Sequence, residues 1–166
     1  YHEMLSHPAM FTHPNPERVL IIGGGDGGTA REVMKHPSVK HVDMVEIDKA
    51  VVEASKLYLS GVGDFENPKL QVLYEDGIAF IKKGSDPYDV IIIDGSDPVG
   101  PAEGLFEKEF YRYCFNALAA EGVLTTQTES PWVNSYHPSI QKVFNALDDL
   151  FPVSKMYTCA IPLYPA

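Results

Sequence analysis

At 166 residues and 45% hydrophobic content the chain is near single-domain size, with room for one substantial core, so one domain over residues 1–166 is expected. The balance of 13 Lys and Arg against 23 Asp and Glu leaves a formal charge of −10, which argues against a nucleic-acid backbone as partner and favours cationic ligands. No apolar run approaches the about 20 residues that cross a bilayer, and Cys114 and Cys159 form no C-x-x-C pair, so reduced, buried thiols in a soluble cytoplasmic protein are expected.

In chain order, Arg18–Gly23 is a short apolar run ending in glycines, the pattern of a strand buried on both faces. A helix over about Gly28 to Lys35 follows, then a strand at His41 to Glu46 and a helix at Lys49 to Leu59. Leu70 to Tyr74 reads as the third strand, Gly77 to Lys82 as a helix, and Tyr88 to Ile93 as the fourth strand. Helices at Glu107 to Ala120 and Ser139 to Leu150 flank a strand at Gly122 to Thr128, and Lys155 to Ile161 is expected as the last strand. Phe106, Phe110, Tyr113, Cys114 and Ala117, and likewise Ile140, Val143, Phe144, Leu147 and Leu150, recur at helical spacing and mark faces that pack on a sheet. Strand and helix alternate throughout, so the expected fold is an open, doubly wound α/β sheet with mostly parallel strands. Neither end has a tail-like composition, and the chain looks like an excised piece.

Gly23-Gly24-Gly25-Asp26-Gly27-Gly28 lies between the first strand and a helix, where glycines let the backbone approach a ligand. Glu46 closes the second strand at the position from which a carboxylate accepts both ribose hydroxyls, which favours an adenosine-containing ligand over a purely structural turn. Asp26 inside the turn would repel a pyrophosphate, which favours a sulfonium nucleoside of the S-adenosylmethionine kind over NAD or FAD; it also suits capping of the next helix. Asp76-Gly77 follows the third strand, where Asp76 either accepts from an adenine amino group or caps the helix beginning at Gly77.

The loop Asp94-Gly-Ser-Asp97-Pro-Val-Gly-Pro101-Ala-Glu103 enters from the fourth strand with two carboxylates. Asp side chains often build turns, but Asp26, Glu46, Asp76, Asp94 and Asp97 are all expected at one sheet edge, where they repel one another unless cations occupy the site. These loops show no metal-ligand spacing. An amine is the other cation: it is protonated at neutral pH and becomes a nucleophile only when a base removes a proton, which makes Asp94 the candidate base and Asp97 an anchor for the amine chain.

The motifs G-G-G-D-G-G, V-E-I-D, D-G-S-D-P-V-G-P-A-E, T-E-S-P-W and I-P-L-Y-P occur in the order seen in spermidine synthases, and from Tyr1-His2-Glu3-Met4 to Tyr164-Pro165 the chain resembles the polyamine aminopropyltransferase family. The resemblance implies an S-adenosylmethionine-methyltransferase-like fold, decarboxylated S-adenosylmethionine as co-substrate, putrescine as the usual acceptor, no prosthetic group or metal, and a homodimer or homotetramer of the full-length protein. By motif position it implies that Glu46 holds the ribose and that Asp76 and Gly77 hold the adenine, with Gly23, Gly25 and Asp26 at the nucleoside and Pro101 and Ala102 on a loop closing over it. It further implies Asp94 as proton acceptor, with Asp26, Asp97, Tyr164, Tyr1 and His2 binding the amine; Trp132 either lines the amine channel or packs in the core. The family commonly has Ser or Thr where Gly95 stands and a hydrophobic pair where Thr29-Ala30 stands, and its members carry a β-rich segment before the position of Tyr1 and more chain after that of Ala166. A methyltransferase, or a silent domain that binds nucleoside or polyamine, are the rival readings. The choice among putrescine, cadaverine, agmatine and spermidine is not written in these motifs.

Overall fold

The computed structural model of the chain describes residues 1–84, 86–95 and 100–161. A helix at His2–Thr12 (α1) leads into strand Arg18–Gly23 (β1), followed by Gly28–Met34 (α2), His41–Glu46 (β2), Lys49–Tyr58 (α3), Leu70–Tyr74 (β3), Gly77–Lys83 (α4) and Tyr88–Asp94 (β4). A 3-10 helix at Gly100–Phe106 then precedes Lys108–Ala117 (α5), Leu118–Thr126 (β5) and, after a short 3-10 turn, His137–Asp148 (α6). The strands form one parallel sheet in the order β3-β2-β1-β4-β5.

The two central strands β1 and β4 are the longest unbroken apolar runs, as strands covered on both faces should be. Alternation then sorts their side chains. Val19, Ile21, Val42, Met44, Val90 and Ile92 meet Ala30 and Val33 of α2, Val52 of α3 and Leu5, Ala9 and Met10 of α1. Leu20, Ile22, Val45, Ile91 and Ile93 face the other way onto Ile81 of α4, Phe110, Tyr111 and Cys114 of α5, and Val143 and Ala146 of α6. Helices on both faces make the sheet doubly wound, as expected. β1 has β2 on one side and β4 on the other, so the chain reverses its direction of winding there, and the crevice at the carboxyl ends of these strands is the switch point where open α/β sheets bind ligands. Gly23 and Asp94 are partners in the ladder at that point.

Helix α1 is absent from the sequence-based expectation. Its apolar pattern is short, Pro8 stands inside it, and no side chain caps its start. Packing sustains it instead: Leu5, Ser6, Ala9 and Met10 are buried against α2 and the sheet. Pro8 has no N–H to give to the carbonyl of Met4, and that carbonyl accepts a 2.5 Å hydrogen bond from the Tyr157 hydroxyl.

That contact also bears on the sixth expected strand. Lys155 to Ile161 has strand-like composition but joins no sheet; the segment lies over the start of α1, with Met156 and Tyr157 half-exposed. Composition qualifies a segment for pairing, but a strand exists only where a ladder partner does. Similarly, α5 stops at Ala117 rather than Ala120, because Leu118 is already paired with Tyr88 in the sheet. Cys114 is buried as expected, and burial pushes its thiol far up, whereas Cys159 is exposed. No helix among the described residues is long and apolar enough to cross a membrane.

Candidate active site

The carboxyl edge of the sheet receives Asp26 after β1, Glu46 at the end of β2, Asp76 after β3 and Asp94 at the end of β4, and the start of α1 comes down onto the same edge. Asp97 and Tyr164 lie outside the described residues, as does the side chain of Pro101. Ala102, expected on the loop, is buried in the 3-10 helix Gly100–Phe106 that takes up the last part of the acidic stretch.

Asp94 stands at the centre. Its Oδ1 accepts from the Tyr1 hydroxyl at 2.7 Å, and its Oδ2 accepts from the Thr29 hydroxyl at 2.6 Å. Burial pushes its carboxyl above the ordinary aspartate range; the two hydroxyl donors oppose the shift and do not cancel it. The backbone is drawn equally close, since the Gly24 N–H donates to the Asp94 carbonyl at 2.9 Å. Gly23 has φ +84°, and a Cβ there would stand 2.2 Å from that carbonyl oxygen, so only glycine lets β1 turn away from β4 at this point.

Asp26 meets the residue after Tyr1. Its Oδ1 accepts from the Gly28 N–H at 2.8 Å, which is the expected service to the start of α2, while Oδ2 is 3.0 Å from His2 Nε2. Of the two readings of Asp26, service to the start of α2 is the one with an observed contact, and the second oxygen is taken up by His2. Burial works to raise its carboxyl, but the bonds from His2 and Gly28 outweigh it and hold Asp26 below the usual range. Reciprocally, the bond to Asp26 raises the His2 imidazole. The His2 ring rests directly on Gly28, where a Cβ would come within 2.4 Å of the ring, so the glycine provides the seat for the imidazole.

Glu46 points its Oε2 at Gly25, with 2.9 Å between that oxygen and the place a Cβ would occupy, and takes the Asp48 N–H on Oε1 at 2.9 Å. The turn after β1 and the carboxylate after β2 are therefore immediate neighbours. Asp76 is exposed and caps α4, accepting from the Ala79 N–H at 2.8 Å, and Gly77 packs on Ile22. Of its two readings, capping is the one with an observed contact. Trp132 is exposed, which removes the core-packing reading.

Two residues that hold Asp94 and Gly95 were not among the expected site residues. One is Thr29, which sequence reading noticed only as a polar residue at a position the family fills with an apolar one. The other is Gln127, just past β5, whose amide donates to the Gly95 carbonyl at 2.6 Å and so holds the first peptide of the acidic loop. Neither has a local signal, since each bond joins residues far apart in the chain, 65 and 32 positions. Among the described residues, no three His, Cys, Asp or Glu side chains are placed to hold a metal ion.

This arrangement can be set beside known proteins. The model of the spermine/spermidine synthase domain matches residues 1–166. The chain belongs to that family. It is 49% identical to a polyamine aminopropyltransferase of Alkaliphilus metalliredigens, covering 100% of this chain and 59% of that protein. With polyamine aminopropyltransferase 1 of Bacillus cereus it shares 48% identity over 100% of its own length and 60% of the relative. A crystal structure of spermidine synthase in complex with the transition-state analogue AdoDATO superposes with a TM-score of 0.87 at 42% identity, covering 92% of this chain and 52% of that one. Spermidine synthase from Thermotoga maritima follows at a TM-score of 0.82 and 41% identity, covering 92% and 50%. The fold is therefore the methyltransferase-like fold of the spermidine synthases, and the chain spans about three-fifths of the length of the curated relatives it matches.

Proposed function

We propose that this chain is the nucleoside-binding catalytic domain of an aminopropyltransferase, which moves the aminopropyl group of decarboxylated S-adenosylmethionine to a diamine, putrescine first, giving spermidine and 5′-methylthioadenosine. The observation that carries the reading is Asp94: a part-buried carboxylate at the switch point, more basic than an ordinary aspartate, held by neutral hydroxyls, with a second carboxylate beside it. Curated relatives named polyamine aminopropyltransferase and a neighbouring spermidine synthase with a transition-state analogue support it.

The chemistry follows from charge. A diamine arrives as ammonium and is drawn to the acidic edge; the sulfonium of the donor, a like charge nearby, makes one of its ammonium groups easier to deprotonate. Asp94 takes that proton. The freed lone pair attacks the methylene next to sulfur, the carbon–nitrogen bond forms as the carbon–sulfur bond breaks, and the bonding pair stays on sulfur as a neutral thioether. The product leaves as a secondary ammonium, and the proton on Asp94 passes to solvent. Holding the amine in line with the carbon–sulfur bond supplies much of the rate, on the order of 7 to 11 kcal/mol for well-placed reactants.

In this reading Glu46 binds the ribose hydroxyls beside the Gly23 to Gly25 turn, and Asp76 with Gly77 sits at the adenine, under the loop of Pro101 and Ala102. Asp26 and His2 face the amine region, and Tyr1, Asp97 and Tyr164 hold the acceptor. The full-length protein acts as a soluble, cytoplasmic homodimer or homotetramer.

The test is product analysis of the full-length protein given decarboxylated S-adenosylmethionine and a panel of putrescine, cadaverine, agmatine and spermidine, with S-adenosylmethionine as control donor. Methylthioadenosine in equal amount to one aminopropylated amine, highest with putrescine, is expected. Methyl transfer from the control donor would move the protein to the methyltransferases, and donor binding without any transfer would leave a silent binding domain.

A further inference from the structure

Asp94 has two oxygens in unequal surroundings. Oδ2 lies against the glycine turn, where a Cβ on Gly24 would stand 3.1 Å from it, and takes the hydroxyl of Thr29, a residue that is fully buried. Oδ1 takes the hydroxyl of Tyr1, which is only part-buried at the start of α1. We propose that Thr29 is a positioning residue for Asp94: by fixing Oδ2 from the buried side, its hydroxyl leaves Oδ1, on the Tyr1 side, as the atom that takes the proton. The proposal rests on the reading of Asp94 as proton acceptor.

A threonine in the first turn of a helix commonly turns its hydroxyl back to its own backbone. Thr29 instead spends it on a carboxylate 65 residues away. Its branched side chain is stiff, so rotation away from Asp94 would bring the methyl group or the hydrogen to Oδ2 and leave that oxygen without a donor. The donor is also uncharged. A lysine or arginine in the same place would pair with Asp94 and hold its carboxyl down, whereas a hydroxyl orients the carboxylate and leaves much of its basicity. Because Thr29 is buried, its bond persists when a substrate enters from the Tyr1 side. The titratable groups facing Asp94 are Tyr1 and His2 at the start of α1 and Asp26 in the glycine turn, and a change at Thr29 alters none of them.

The experiment compares Thr29→Val, which keeps the shape and loses the hydroxyl, with Thr29→Ser, which keeps the hydroxyl, both in the full-length protein. Two readouts are taken: the pH profile of kcat, and the titration of the Asp94 carboxyl by carbon NMR with labelled aspartate, assigned through Asp94→Asn. For Thr29→Val the acid limb and the carboxyl titration should both move up by about one pH unit. Its kcat should fall roughly tenfold at neutral pH, the KM for the donor nucleoside should stay within about twofold, and Thr29→Ser should recover most of the loss. A Val variant with the wild-type carboxyl titration would overturn the proposal, as would a Ser variant no better than Val, or a loss of donor binding as large as the loss of turnover. If the wild-type protein transfers no aminopropyl group, the functional reading fails, while the NMR titration still decides whether Thr29 governs Asp94.

Discussion

Glu32 and Asp94 are both carboxylates carried off the surface, and the protein treats them in opposite ways. Glu32 on α2 is fully buried, yet what covers it is charge: Arg31 donates to its Oε1 at 2.9 and 2.7 Å, Lys35 to its Oε2 at 2.6 Å, and His7 Nε2 lies 3.3 Å from Oε2. Burial alone would raise it, but Lys35 and Arg31 hold its carboxyl below the usual range. Asp94 keeps some exposure to solvent, but strand ends and the glycine turn enclose it, and this burial pushes its carboxyl up against the opposing bonds of two neutral hydroxyls. The difference teaches that cationic partners make a carboxylate a fixed anion, whereas burial among neutral donors leaves it a usable base. Helix α1 serves both, placing Tyr1 on Asp94 and His7 beside Glu32.

The largest effect should separate the two at the level of chemistry. On the proposed reading, Asp94→Asn in the full-length protein should lower turnover by about two orders of magnitude or more while leaving the fold intact, as methylthioadenosine release and circular dichroism would report. Turnover within a few-fold of wild type would remove Asp94 from its assigned role. Glu32→Gln should do the reverse, lowering stability by about 2 kcal/mol, a figure kept small because Arg31 and Lys35 can regain water. Turnover of the folded Glu32→Gln protein should stay within about threefold of wild type, and a hundredfold loss would join Glu32 to the active site.

Stability against pH should then slope in opposite directions. Glu32, lowered in the folded state, contributes stability above the unfolded carboxyl value of about 4.3 that is lost as pH falls through its folded value. Asp94, raised in the folded state, costs nothing below about pH 4 and an increasing amount as pH rises through its folded value. Thermal unfolding should accordingly show Asp94→Asn above wild type at pH 7 by about 2 to 4 °C, with the gain gone near pH 4. The deficit of Glu32→Gln should be full at pH 7 and close on acidification. Parallel slopes for the two variants would break the contrast.

The smallest change tests the element that joins them. Tyr157→Phe strips the Met4 carbonyl of its donor and should cost about 1 kcal/mol. Amide exchange should report the loosening as faster opening over the whole of α1 rather than at Met4 alone, and a change confined to residues 155–161 would show that α1 stands without the Tyr157 bond.

Sequence by itself determined the sheet and the edge. Short apolar runs, glycines at their ends and helical stripes are local signatures of burial and turning, and they placed five of the strands and five of the helices before any contact was known. The carboxylates at the strand ends were legible for the same reason, because the end of a buried run in a parallel sheet is a position on the ligand edge wherever the strand lies. What the tertiary structure decided was company. Strand order sets β1 beside β4, and that alone brings Thr29 to Asp94 and, through α1, Tyr1 to a carboxylate 93 residues away. It also decided that α1 is a helix despite Pro8, that Lys155 to Ile161 has no ladder to join, and that Asp76 caps its own helix. Hydrogen bonds between distant residues and the groups that cover a charge depend on how elements are stacked, and a local pattern carries the tendency to be buried but not the neighbour met there.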